Sequence, residues 1–299
     1  MPSPLTSLRS RLARAGDFGR RKSPLLRRVP PLKDLIELAA RLGYGARGFV
    51  YLSVGLLTLL AAADLIGDAV GTRGAIAWMA LRPLGRLWLL LLGLGLCAFV
   101  MWRVLQAVFD ADHEGTSRHG LGMRMSQGFS AMSYGFLAFN TFAFLIHTPR
   151  DPAAADVARS HEQAAMVLAL PFGNWLLAAA GLTLLGIGLV NVSRSWREDF
   201  TEYLACSRKT CRRVAPLARA GYVARGLAYL PLAVLIIMAG VQAKASEVTS
   251  FGSALDTVER QPGGPWILAL ASLGFIAFGA FSFIEARFRR IKPPKDLTL

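Results

Sequence analysis

Apolar residues in this chain come in long unbroken runs, not in the alternating or 3.6-residue stripes of a soluble domain. Six stretches contain no Asp, Glu, Lys or Arg: Gly48 to Ala63, Leu87 to Trp102, Met125 to Ile146, Gln163 to Ser193, Gly226 to Ala243 and Gln261 to Ile284. A helix crossing a bilayer core needs about 20 apolar residues. The first two runs hold only 16, but Arg47, Arg86 and Arg103 border them and can lay their methylenes along the helix while the charge reaches the headgroups. The pattern predicts an all-α membrane protein with six transmembrane helices.

Within these runs a motif recurs. ARLGYGARGFVYL from Ala40 and ARAGYVARGLAYL from Ala218 agree at nine of thirteen positions. Setting Gly128 against Gly48 aligns GFSAMSYG with GFVYLSVG, which gives the third span a degraded copy. Before the even spans stand PLG at 83–85, PFG at 171–173 and PGG at 262–264. Proline near a helix start costs no hydrogen bond, and the glycine is expected to let the chain turn sharply. The chain therefore divides into three parallel two-helix repeats, at 39–115, 116–207 and 208–291, in a pseudo-threefold arrangement. A basic tail at 1–38, expected to be disordered, precedes them, and a short tail at 292–299 follows. The loops GAIAWMALR, SHEQAAMVLAL and FGSALDTVERQ are each compatible with one short helix on the outer face.

Composition agrees with the pattern. The 299 residues are 54% hydrophobic and 18% charged, with a mean hydropathy of +0.42. Lys and Arg number 34, of which 27 fall on the side of both termini and seven on the other. The positive-inside rule then places both termini in the cytoplasm and the protein in a bacterial plasma membrane. No cleaved signal peptide is expected. The net charge of +15 follows from the same bias and does not call for nucleic acid. The expected partner of the basic tail is the bilayer itself, through anionic lipid headgroups at the cytoplasmic face.

With the ARxGYxARGxxY motifs at 40 and 218, the Pro-x-Gly turns and the WRVLQA exit at 102–107, the chain resembles the bacterial membrane proteins grouped as domain of unknown function 1206, whose pattern is three two-helix repeats. The resemblance runs from Arg41 to Ile291 and implies fold and location, with no activity attached. The middle repeat departs from the pattern: Gln127 stands where the others have Arg47 and Arg225, and Arg124 where they have Tyr44 and Tyr222.

Candidate site residues follow from topology. If the odd spans surround the pseudo-threefold axis, Arg47, Gln127 and Arg225 form a cytoplasmic ring able to hold an anion or a lipid phosphate, with Tyr44 and Tyr222 beside it. The competing reading makes the motif an interface anchor that also sets helix packing. Polar groups within the spans are few: Asn140, expected to bond a neighbouring helix, Asn191, Gln106 and Glu285. Asp110, Asp112, His113, Glu114 and His119 cluster in FDADHEGTSRHG, but their spacing matches no metal motif and reads as a charged loop tip. Cys206 and Cys211 are expected to stay reduced in a cytoplasmic loop. With no P-loop, HExxH, haem motif or partnered nucleophile, the sequence implies no enzyme, cofactor or metal. Small-residue helices and an absence of buried charge favour a non-catalytic structural or interaction role. The alternative is a small-solute, anion or lipid transporter or channel built on the threefold hairpin repeat.

Overall fold

The structure is a computed structural model and describes residues 32–63, 65, 72–146, 152–197, 200, 202–248 and 250–291. The basic tail up to residue 31 and the tail from 292 lie outside the described residues. Nine α-helices are described: α1 Leu32–Ala62, α2 Thr72–Ala80, α3 Gly85–Phe109, α4 Arg118–Ile146, α5 Pro152–Leu168, α6 Gly173–Arg197, α7 Arg208–Gln242, α8 Phe251–Glu259 and α9 Gly264–Phe288. Helix α1 therefore begins inside the segment read as tail, and Arg41 reaches back one turn to Glu37 at 2.7 Å. Residues from Ile36 onward form one unit.

Helices α1, α3, α4, α6, α7 and α9 are long and apolar enough to cross a membrane. Large apolar side chains cover their outer faces, with Phe139 68% and Trp266 77% exposed. A soluble monomer does not present so much apolar surface to water. The short helices α2, α5 and α8 occupy the three loops where the sequence placed them, and they touch one another pairwise at one end of the bundle.

Each Pro-x-Gly turn works differently from the expectation. The middle residue, and not the last, takes the left-handed conformation: Leu84 at φ 61°, Phe172 at φ 60° and Gly263 at φ 77°. The final glycine is needed for space. A Cβ on Gly85 would lie 2.4 Å from the Ala80 carbonyl oxygen, on Gly173 2.1 Å from that of Val167, and on Gly264 2.2 Å from that of Glu259. The same close approach, made three times, presses the start of each even span onto the preceding loop helix.

The six long helices pack side by side in the order α4, α3, α1, α9, α7, α6. Glycines set most of these contacts, as expected where apolar surface alone gives no driving force between helices. Gly43 of α1 abuts the Phe99 backbone of α3, and Gly221 of α7 abuts that of Phe278 in α9. Gly95 faces Ala46 and Gly274 faces Ala224 across the same two seams. Between repeats, Gly48 meets Gly279 and Gly226 meets Gly188. A closed ring would need a sixth seam, between α4 and α6 of the middle hairpin. Those two helices do not pack along each other.

The register of the repeats explains the open seam. With Gly48 set against Gly128, and Pro83 against Pro171, the positions of Gly43, Ala46, Gly95 and Phe99 become Met123, Ser126, Thr183 and Ile187. Two glycines that let backbones meet are replaced by side chains that hold them apart. All four residues line a cavity at this gap. The fold is the three parallel hairpins with pseudo-threefold arrangement that the repeats predict, with one hairpin spread open.

Candidate functional site

Away from the loop helices, the bundle encloses a chain of ion pairs. Arg47 of α1 donates from its Nε to Ser282 Oγ at 3.1 Å and from its Nη2 to Glu285 of α9. Glu285 also accepts from Arg289 at 2.9 Å, and Arg289 reaches Asp112 at 2.9 Å. Gln106 donates to the same Asp112 carboxylate and accepts from Arg103 Nη1 at 3.1 Å. Arg47, Gln106 and Glu285 are all buried. Aromatic rings wall the network. The Arg47 guanidinium lies 5.0–5.2 Å from the centres of Tyr44, Phe99 and Phe278, and Trp102 donates to the Tyr44 hydroxyl at 3.1 Å.

This corrects the expectation that the chain buries no charge. Asp112 and Arg289 lie outside the uncharged runs, so neither announced itself as an interior group. The FDADHEG segment is no loose charged tip: the Asp112 side chain is 5% exposed, Asp110 accepts from the backbone N–H groups of Glu114 and Gly115, and Glu114 accepts from Tyr203 at 3.0 Å. Burial, reinforced by that carboxylate, holds the Tyr203 phenol well above its ordinary range. The strand-like pairing of Leu204 with Arg289 ties the stretch around Tyr203 to the end of α9, and the ion pair between Arg289 and Asp112 holds FDADHEG there. Among the described residues no group of His, Cys, Asp and Glu is arranged to hold a metal.

Beside the network lies a cavity of about 600 Å³ at the α4/α6 gap. Arg47, Gln127 and Arg225, the expected ring, all line it, as do Arg103, Asn191 and Tyr222. Its charges are unequal. The carboxylates at its wall are tied down by the partners given above. Arg225, in contrast, makes one described hydrogen bond, to the Tyr229 hydroxyl at 3.0 Å, and sits 5.4–5.6 Å from the ring centres of Tyr51, Tyr229 and Phe278. Among the described residues no carboxylate pairs with Arg225 or Arg103. The repeat register shows why: the position of Glu285, which holds Arg47, is Gln106 in the first repeat and Arg194 in the second. Three buried polar atoms of residues lining this cavity lack a partner among the described residues, Arg103 Nε, Gln127 Oε1 and Arg289 Nε. Buried polar groups are normally satisfied, so each such atom asks for a ligand or an ordered water.

A second cavity of about 460 Å³ continues toward the loop helices and shares Ser133, Arg225 and Tyr229 with the first. Its walls are mostly apolar, among them Leu137, Val167, Leu177, Leu232 and Phe275.

Of the remaining sequence candidates, Tyr222 and Asn191 line the cavity, whereas Tyr44 and Asn140 do not. Tyr44 is fully buried among the ion pairs, whereas Tyr222 stacks on Phe200 at 4.4 Å. Asn140 donates to Phe136 O of its own helix and accepts from Arg159 of loop helix α5 at 2.7 Å. Asn191 bonds Ile187 O at 3.0 Å. Sequence reasoning missed Arg103 and Arg194 as cavity residues. Their signal was available in the register that equates Arg103 with Asn191 and Arg194 with Glu285.

Cys206 and Cys211 are joined as a disulfide, contrary to the expectation of free thiols. The Ser207 N-cap, whose hydroxyl accepts from Thr210 N at 3.3 Å, folds the first turn of α7 so that the two cysteines meet, with Cα atoms 5.7 Å apart. Purified protein kept from reductants should accordingly give one maleimide adduct per chain, at the exposed Cys97, and three after reduction and unfolding. Three adducts without reduction would show the pair open.

The repeats, the opened middle hairpin and the buried arginines can be set beside known proteins. The chain is 30% identical over 263 residues to "Uncharacterized protein YxxB" of Bacillus subtilis (strain 168), covering 87% of this chain and 93% of that protein. No solved structure matches. The family described as Domain of Unknown Function (DUF1206) matches three times, at residues 42–110, 126–198 and 220–289, once for each hairpin, and the chain belongs to that family.

Proposed function

We propose that this protein binds and carries a negatively charged ligand in the cavity at the centre of its three hairpins, without catalysing a reaction. The observation that carries this reading is the arginine pair Arg103 and Arg225, which line a cavity within ligand-binding size and have no carboxylate partner among the described residues. Arg103 and Arg225 are half-buried, and a guanidinium withdrawn even partly from water is costly unless a counter-charge meets it. Arg47 has one in Glu285; the cavity provides room for one at the other two. Between the two roles considered from sequence, this favours the carrier over a purely structural element, whose centre would be closed by packed glycines.

The same reading places the chain in a bacterial plasma membrane with both termini cytoplasmic, supported by 27 of the 34 Lys and Arg lying on that side of the predicted spans. The arginine end of the cavity would then face the inner leaflet. Thermal unfolding of the detergent-solubilised protein tests the anion site. Glycerol 3-phosphate, titrated at constant ionic strength against chloride, should stabilise it saturably, because a ligand that binds only the folded state raises its apparent stability with concentration. Arg225→Gln should weaken that response at least tenfold. Equal responses from both proteins would remove the anion site, and with it the proposed function.

A further inference from the structure

The open seam decides how a ligand reaches the arginines. Three observations, each independent of the anion reading itself, bear on the kind of molecule involved. The cavity is not sealed from the side: α4 and α6 stand apart along the bilayer-facing wall. Their exposed apolar side chains, such as Phe129, Met132, Leu182 and Leu189, face where acyl chains lie. The two cavities differ in character and share three residues, so a charged chamber opens directly into an apolar one. A soluble anion would need only the first chamber. The buried Gln127 Oε1 has no donor, and it lines the charged chamber, where a headgroup hydroxyl could supply one.

We propose that the ligand is a phosphate-bearing lipid that enters sideways from the bilayer between α4 and α6, its headgroup meeting Arg103, Arg225 and Gln127 and its chains lying in the apolar chamber. This rests on the anion-site reading above and names its ligand class. The geometry suits a polyol headgroup in particular: a phosphate accepts from guanidinium donors, while a hydroxyl donates to the Gln127 amide oxygen. Middle-repeat drift made the doorway. Met123 and Thr183 replace the glycines that seal the other two hairpins, and Gln127 replaces the arginine that would have repelled Arg103 and Arg225.

Gly186 offers a way to close the door without touching the arginines. It lines the charged cavity on α6, and a Cβ built there meets nothing within 4 Å, so Gly186→Trp adds bulk to the gap without clashing at its root. The test measures binding of dioleoyl phosphatidylglycerol, dioleoyl phosphatidylcholine and glycerol 3-phosphate to full-length wild type, Arg225→Gln and Gly186→Trp by native mass spectrometry and thermal shift. Wild type should bind one phosphatidylglycerol at least thirtyfold more tightly than either of the other two probes. Arg225→Gln should lose at least tenfold for phosphatidylglycerol. Gly186→Trp should lose at least tenfold for phosphatidylglycerol while eluting as the same monodisperse chromatographic peak as wild type, which reports that the variant is folded. If glycerol 3-phosphate binds as tightly as the lipid, the site takes a soluble anion and the lipid inference falls alone. If phosphatidylcholine binds as tightly as phosphatidylglycerol, or nothing binds, the anion site falls too. If the tryptophan variant binds lipid as wild type does, entry between α4 and α6 is wrong.

Discussion

Glu285→Ala should cost about 3–5 kcal/mol of folding stability, the range for removing one partner of a buried ion pair. Glu285 is 3% exposed and accepts from both Arg47 and Arg289, so its loss leaves two guanidinium groups in the interior with one carboxylate, Asp112, between them. The penalty comes less from the attraction lost than from the stranded charge. It follows that the double replacement Arg47→Met with Glu285→Met should recover most of the stability, since an apolar pair of similar volume replaces a desolvated ionic one. Thermal unfolding in a neutral detergent, followed by loss of the monodisperse chromatographic peak, measures both. A Glu285→Ala protein that melts with wild type would mean that water reaches the network and that Arg47 is not desolvated.

The second large effect belongs to the glycine seams. Gly226→Leu would put a Cβ 2.6 Å from the Gly188 carbonyl oxygen and 3.1 Å from the Val192 amide nitrogen. Both are backbone atoms of α6 and cannot rotate away. Overpacking commonly costs 1–3 kcal/mol where side chains can yield; here two helices must separate, and a loss of at least about 3 kcal/mol is expected. Gly186→Ala on the same helix, with open space around it, should change the melting temperature little. Comparing the two variants by thermal unfolding separates a packing effect from the general propensity gain of replacing glycine in a helix. Matching behaviour would show that α6 and α7 are not in close contact.

Much of this fold could be read from the letters. Six uncharged runs marked the spans, the repeated ARG and Pro-x-Gly motifs marked the hairpins, and the loop patterns gave α2, α5 and α8. Periodicity and turn chemistry are local, and local signals survive without a structure. The candidate site was legible in its parts and not in its balance. Arg47, Gln127 and Arg225 were picked because they occupy one register position, and they do line one cavity. That Arg47 is neutralised while Arg225 is not depends on Glu285 and Arg194 filling equivalent places on neighbouring helices, which is visible only once it is known which helix lies beside which. Asp112 and Arg289 escaped notice because both sit just past a span: pairing with Leu204 fixes Arg289, and bonds from Arg289 and Gln106 in turn hold Asp112 inside. The Pro-x-Gly turn was recognised, but the work was assigned to the wrong residue: glycine is required there by a nearby carbonyl, and the left-handed backbone falls on Leu84 and Phe172, where sequence gives no hint of it.

The opened hairpin has a consequence for how such a molecule could have arisen. Three separate copies of one hairpin, assembled with strict rotational symmetry, would be bound to treat all their internal gaps alike: a methionine in place of glycine would open three doors or none, and the assembly would lose its cohesion along with its symmetry. Joining the copies in a single polypeptide lifts that constraint. Two hairpins can stay zipped on Gly43 and Gly221 and hold the particle together, while the third is released to mutate, so the covalent linkage between repeats is what permits a single doorway in a body built on threes.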